Sequence, residues 1–117
     1  MLIHPRDKDL VIGTHGRSFW ILDDIAALAE WTKSNNKYLH IFSMRDATLF
    51  YYWKSTSYRS QEEWVGPNPE YGALINYVIN TDADSVTISI KQRNREIRKF
   101  KDRVEKGKLK RLVWDLK

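Results

Sequence analysis

The side chains that could take part in chemistry lie close together early in the sequence, between Asp9 and Asp24. Asp23 and Asp24 are adjacent carboxylates, and hydrolysis of a glycosidic bond needs two carboxyl groups placed across the scissile bond. Neighbouring side chains of an extended segment point in opposite directions, however, and aspartates just before a helix commonly cap it. We therefore predict that both residues have a capping role, and we assign no catalytic residue.

His15 and Arg17 flank Gly16 in a predicted turn, where both side chains could face a ligand. A sialidase-type site would require a cluster of arginines that binds a carboxylate, together with a tyrosine nucleophile. The tyrosines of this sequence come with no base and no arginine cluster that spacing would bring together. The alternative is a turn that is merely closed by side-chain to backbone hydrogen bonds. His15 and Arg17 are thus the candidate ligand-binding residues, with both interpretations open.

Metal, cofactor and membrane binding are not indicated. The sequence has no cysteine, which leaves no disulfide framework and no thiolate metal site, and the three histidines lack metal-ligand spacing. No glycine-rich phosphate loop is present. There is no apolar run suited to a signal peptide, and none approaches the ~20 residues of a membrane span. We expect neither a metal nor a cofactor, and no membrane partner.

Two short apolar runs, residues 9–14 and 18–22, indicate an antiparallel hairpin around the turn at Gly16. The apolar residues of the second run occupy both faces of the strand: Phe19 and Ile21, and opposite them Trp20 and Leu22. A two-stranded ribbon is not stable alone in water. Other structure must therefore cover both faces, and exposed strand edges would otherwise favour self-association.

A helix and a connecting segment are predicted after the hairpin. Apolar residues recur at helical spacing from Ile25 and stop at residues 34–36, which predicts an amphipathic helix of about two to three turns. A short strand follows at residues 38–42. The aromatic residues 50–53 could stack on a sugar. We favour the alternative, in which they pack between modules or form a strand that is buried on both sides.

From residue 66 the apolar pattern changes to a period of two. Residues 73–80, 86–91, 97–100 and 112–116 predict half-buried antiparallel strands, with a turn at Asn94. An Ig-like sandwich has about seven strands. The fold class is therefore mainly β, with one short helix and an incomplete sandwich.

Three motifs resemble a known family, the bacterial sortilin-like β-propellers with neuraminidase-type (BNR) repeats, which are often labelled glycosyl hydrolases. Their blades carry a His-Pro-x-Asp motif and then Leu-Val-x-Gly-Thr-His-Gly-Arg-x-Phe-Trp-x-Leu-Asp-Asp. Here the match is carried by His4, Pro5, Asp7, Leu10, Val11, Gly13 to Arg17, Phe19, Trp20 and Leu22 to Asp24. Residues 66–77 and 111–116 are similar to the segments that follow the propeller in that family, where an Ig-like or fibronectin-like sandwich begins.

The resemblance implies three parts: the end of a propeller blade (1–23), a helix-containing connection (24–65) and the first strands of a sandwich (66–117). A helix replaces the Asp-box that commonly follows such a strand, so we expect a terminal repeat. The chain would then be a fragment of an exported, periplasmic or secreted protein, with a structural or interaction role and no catalysis of its own. Its partners would be the remainder of the propeller, another protein surface or a second copy.

Charge provides a second hypothesis. Residues 91–117 hold 12 Lys or Arg against 4 Asp or Glu, a net charge of +8, although the whole chain carries only +5. A patch of Arg93, Arg95, Arg98, Lys99 and Lys101 could bind nucleic acid or another polyanion. No recognition motif accompanies these residues, and alternation along a strand also produces a solvated face that protects an edge. We favour the solvated face over nucleic-acid binding.

Overall fold

The computed structural model describes residues 1–16, 18–50 and 69–117. Within these ranges the chain is mainly β, with antiparallel sheets and one short α-helix, which confirms the predicted fold class. The strands are β1 (Leu2–Ile3), β2 (Leu10–Gly13), β3 (Phe19–Leu22), β4 (Leu39–Ile41), β5 (Ala73–Ile79), β6 (Ser85–Gln92), β7 (Arg95–Arg103) and β8 (Leu109–Trp114), and the helix is α1 (Ala26–Ala29).

The first sheet has the order β1-β2-β3 and contains the predicted hairpin. Ile12 lies opposite Trp20, and Val11 lies opposite Ile21. Gly16 has a φ of +74°, a conformation that glycine adopts without a steric penalty. Strand β1 pairs with β2 through Leu2 and Ile3 and was not predicted, because two residues are too few to show a period. The hairpin is thereby extended to a three-stranded sheet.

The helical segment differs from the prediction. A single turn of α-helix, α1, is followed by a separate 3₁₀ turn at Trp31–Ser34, so a continuous helix of two to three turns is wrong. The two parts meet at Glu30, whose φ of −98° and ψ of 3° interrupt the helix. The hydroxyl of Ser34 donates to the carbonyl of Trp31 at 2.7 Å, and the Trp31 ring stacks on Phe42 at 6.0 Å. These contacts favour the 3₁₀ turn over a continuation of the α-helix.

The second sheet has the order β4-β5-β8, with β5 in the centre. We predicted half-buried strands, and for β5 this is wrong: all its residues from Leu74 to Ile79 are buried, and Asn76 is completely so. The unbroken apolar run around Asn76 is typical of a strand that is covered on both faces. Strand β4, from within residues 24–65, supplies one edge through pairs such as Ile41 with Tyr77. The predicted division into three parts stays a prediction.

Different elements cover the two faces of β5. On one face Val78 packs in a core with Ala27 and Phe42, with Trp31 and Leu109 at its margin. Tyr77 points to the opposite face, which meets strand β6 across a cavity of about 150 Å³. The α1 segment and the β6–β7 hairpin thus lie on opposite sides of the central sheet.

Strands β6 and β7 form a long hairpin of their own. Its turn has two consecutive residues with positive φ, Arg93 at 44° and Asn94 at 68°, which confirms the predicted turn at Asn94. Burial alternates along β6 as predicted, with Val86, Ile88 and Ile90 on the more buried face. The register shifts between Ile90 and Lys91, so the regular pairing lies on the side away from the turn.

Candidate functional site

The first candidate is the turn of the β2–β3 hairpin. His15 is exposed in this turn and makes no hydrogen bond or ion pair with another described residue, while Arg17 lies outside the described residues. The turn is closed by Thr14, whose hydroxyl donates to the carbonyl of Ser18 at 3.0 Å and accepts from its N–H at 3.2 Å. These bonds hold the turn without help from His15, whose ligand-binding role stays a prediction.

The adjacent carboxylates are placed in separate environments. Asp24 is 2% exposed, and its Oδ1 accepts from the N–H of Ala26, the first residue of α1, at 3.2 Å. Its own N–H donates to Asp9 at 2.9 Å. The side chain of Asp23 makes no hydrogen bond or ion pair with a described residue. The N-cap position of α1 is Ile25 and no side chain caps it, so the predicted capping role of Asp23 and Asp24 is wrong, although Asp24 bonds the N–H of Ala26 from one residue before the N-cap. The two carboxylates form no facing pair.

Arg111 links the second sheet to the segment that follows the first sheet, a role that sequence reasoning did not assign. Its Nε donates to Oδ1 of the buried Asn76 at 2.9 Å. Its Nη2 donates to the carbonyl of Asp24 at 2.9 Å, and both Nη atoms reach the carbonyl of Asp23 at 3.3–3.4 Å. The polar Asn76 within an apolar run was the available signal, because a buried amide requires a partner.

A tyrosine and a carboxylate meet on the other face of the central sheet, which corrects our expectation that the tyrosines come without a base. The hydroxyl of Tyr77 donates to Oδ2 of Asp102 at 2.7 Å. The same oxygen lies 3.5 Å from the Nζ of Lys110, which also reaches Glu105 at 3.0 Å. Tyr77 and Asp102 are 25 positions apart, and spacing in the sequence gave no indication that they pair.

The electrostatics of this network do not suit a nucleophile. Burial, and then the hydrogen bond to Asp102, raises the pKa of the Tyr77 hydroxyl. The hydrogen bond from Tyr77 is the largest cause of the lowered pKa of Asp102. Tyr77 is only 2% exposed, and its hydroxyl is engaged by Asp102. The network fastens the β6–β7 hairpin to the central sheet, with a protonated tyrosine and an ionised aspartate.

Strand β3 presents apolar side chains to solvent on both of its faces. The exposed fractions are 81% for Phe19, 66% for Trp20, 62% for Ile21 and 51% for Leu22. The neighbouring strands extend both faces, since Leu2 lies opposite Val11 on the Phe19 face and Ile3 lies opposite Leu10 on the Trp20 face. Among the described residues, the α1 segment approaches only Leu22, so most of both faces stays exposed. The sheet formed by β1, β2 and β3, which we term the apolar ribbon, is a surface suited to contact with other protein.

The basic residues do not form the single patch that the nucleic-acid hypothesis requires. Side chains alternate between the two faces of β7. Lys99 and Lys101 lie on the face away from the central sheet, while Arg98 lies on the opposite face, 5.6 Å from the Phe100 ring centroid. Arg93 and Arg95 adjoin the turn. The outward face instead carries a row of Lys99, Lys101 and Arg103, which we term the cation row.

The described residues contain neither a candidate metal site nor a candidate membrane-spanning helix. No three His, Asp or Glu side chains among them come together as a group that could hold a metal ion. None of their helices is long and apolar enough to cross a membrane.

Comparison with protein-family models, with curated proteins and with solved structures gives no match for this chain.

Proposed function

We propose that the chain is a structural or interaction segment, without catalysis of its own, of a β-propeller protein with BNR repeats, in which other parts of that protein cover the apolar ribbon. One observation carries this proposal: β3 exposes four consecutive large apolar residues, two on each face. Apolar surface of this extent is characteristic of interaction sites in soluble proteins. The family itself is proposed from the three sequence motifs.

The contrast between two of the edge strands, β3 and β7, supports the same proposal. Strand β7 carries several charged residues, which disfavour pairing with apolar strands, whereas β3 consists of Phe, Trp, Ile and Leu alone. An unprotected apolar edge strand promotes aggregation when it is exposed, and it stabilises the protein when other parts cover it. We infer that β3 has further protein on both sides in its working state.

The first test compares the chain with a longer version that includes the sequence encoded upstream. We expect strand repeats with Asp-boxes in frame there, and we expect Trp20 to be protected in the longer protein. Acrylamide quenching of tryptophan fluorescence measures this protection, and the difference between each protein and its Trp20→Phe variant isolates the contribution of Trp20. Equal quenching of Trp20 in both proteins, or an upstream sequence without such repeats, would overturn the proposal.

The chain alone should self-associate, because its ribbon is then uncovered. Light scattering after size exclusion should show oligomers, and a Phe19→Ser/Ile21→Ser variant should reduce them by making one face polar. A monodisperse monomer with a cooperative, reversible melt would contradict this expectation. We also expect no turnover of sialyl, glucosyl or xylosyl chromogenic substrates. Turnover that Asp23→Asn, Asp24→Asn or Arg17→Ala abolishes would place an active site at the hairpin instead.

A further inference from the structure

The outward face of the β6–β7 hairpin has a regular composition that the proposed function does not use. Its cross-strand pairs are Ser85 with Arg103, Thr87 with Lys101 and Ser89 with Lys99, and all six residues are exposed. Cations therefore occupy three successive alternate positions in the second half of β7, and small hydroxyl residues lie opposite them on β6. No carboxylate interrupts the cation row.

The charges of the cation row are not neutralised within the described part of the chain. None of its three side chains forms an ion pair there. Neighbouring lysines do: Lys106 lies 2.9 Å from Asp82, and Lys110 lies 3.0 Å from Glu105. Lysines in the loop after β7 and at the start of β8 are thus held in internal ion pairs, whereas three cations of β7 remain available to an external partner.

The spacing of the cation row matches the repeat of an extended polypeptide. Alternate residues of a strand are separated by about 6.8 Å, and they point to the same face. A second strand alongside β7 that carries an acid at every second position would place one carboxylate opposite each cation. Opposite charges that face each other across neighbouring strands stabilise the pair. In the described residues β7 pairs only with β6, so the N–H and C=O groups along its other edge can bond to an added strand.

The same face offers little to a nucleic acid. Single strands bind mainly by stacking their bases on aromatic rings, and the one ring on β7, Phe100, lies on the other face, opposite Ile88. We propose that β7 is a docking edge for an extended acidic segment of another protein, which adds as a strand and places carboxylates at alternate positions over Lys99, Lys101 and Arg103. This proposal stands independently of the apolar ribbon.

Two labelled heptapeptides of identical composition test the match in period. One is Thr-Asp-Thr-Asp-Thr-Asp-Thr, and the other is Thr-Thr-Asp-Asp-Asp-Thr-Thr, so that length and charge are equal. Fluorescence anisotropy with the full chain at low salt should show about tenfold tighter binding of the alternating peptide, which is the combined effect expected of three cross-strand charge pairs. N-methylation of alternate backbone nitrogens on the alternating peptide should abolish its advantage, because β-augmentation requires main-chain hydrogen bonds.

Matched variants locate the site. Lys101→Gln should weaken the alternating peptide by roughly two- to fivefold, as expected for the loss of one charge pair. Lys33→Gln, an exposed lysine in the 3₁₀ turn, should leave its binding unchanged. Equal affinity for the two peptides would overturn the proposal, and so would equal losses in the two variants. Displacement of both peptides alike by a short DNA duplex would indicate a simple polyanion surface and would also overturn it.

Discussion

Replacement of Gly72 by alanine should sharply destabilise the central sheet. A Cβ atom at this position would lie 2.1 Å from the carbonyl oxygen of Trp114 and 2.8 Å from its carbonyl carbon. Both are backbone atoms, and they cannot move aside easily because Ala73, the next residue, pairs with Trp114 in the β5–β8 ladder. Gly72 also has a φ of +121°, where L-residues with a side chain are strained. The start of β5 and the end of β8 therefore approach each other at a distance that only glycine permits.

Two costs contribute to the expected loss. A residue held in a sparsely populated backbone region costs about 1–3 kcal/mol. Overpacking at a close contact costs about 1–3 kcal/mol more. We expect a decrease in the free energy of unfolding of about 3 kcal/mol, a large share of the roughly 5–15 kcal/mol that holds a domain together.

Urea unfolding, monitored by tryptophan fluorescence at low micromolar concentration, measures this loss. With a slope of about 1–3 kcal/mol per molar urea, the midpoint should fall by about 1–3 M. Gly107→Ala is the matched control, because Gly107 also has a positive φ, +71°, but no atom lies within 4 Å of a Cβ there. This control should lose only about 1 kcal/mol, the cost of the left-handed conformation. Equal midpoints for the two variants would refute the reasoning, since the close approach to Trp114 would then cost nothing.

Two further predictions concern the polar contacts between elements. Arg111→Met should lower the free energy of unfolding by about 2 kcal/mol or more, because it leaves the buried Oδ1 of Asn76 without its donor. Arg103→Met on the solvated face is the control and should change this free energy little. Urea titrations measure both variants, and equal losses would contradict the stabilising role of the Arg111–Asn76 hydrogen bond. The lowered pKa of Asp102 should stabilise the folded chain above the unfolded-state pKa of about 4, with the contribution lost as pH falls through the lower folded-state value. Tyr77→Phe removes the largest cause of that shift, so its stability should fall less than that of the original chain between pH 7 and pH 3, and an unchanged pH dependence would contradict this role for the hydrogen bond.

Local patterns predicted most of the longer strands, because apolar and polar residues alternate along a strand that has one buried face. The β2–β3 hairpin and the turn at Asn94 followed from glycine, asparagine and a period of two. Contacts between residues that are far apart in the sequence produce no periodic pattern. Asp102 accepts from Tyr77 across 25 positions, and Arg111 reaches Asp24 across 87, so neither partner lies within any window that shows a period.

The apparent period of β5 was misleading for a related reason. Ile75, Tyr77 and Ile79 mark one face, but Leu74, Asn76 and Val78 are buried equally well. Asn76 looked like a solvent-facing position in a half-buried strand, yet it lies in the interior, where its amide oxygen accepts a hydrogen bond from Arg111. The candidate residues His15 and Arg17 were drawn from one turn. The polar contacts of Asn76, Tyr77 and Arg111 lie instead in the β5–β8 sheet, and there only Asn76, a polar residue within an apolar run, gave a signal in the sequence.

The long reach of Arg111 has a consequence for synthesis on the ribosome. The carbonyl of Asp23, which follows the apolar ribbon directly, is separated from its arginine partner by 88 positions. At about 5–20 residues per second, roughly 4–18 s pass between translation of the two. During that interval the nascent ribbon carries its tryptophan and phenylalanine with no anchor from β8, as a substrate for chaperones that bind apolar strands. Slow codons between the ribbon and β8 would lengthen this exposure and lower the yield of folded chain.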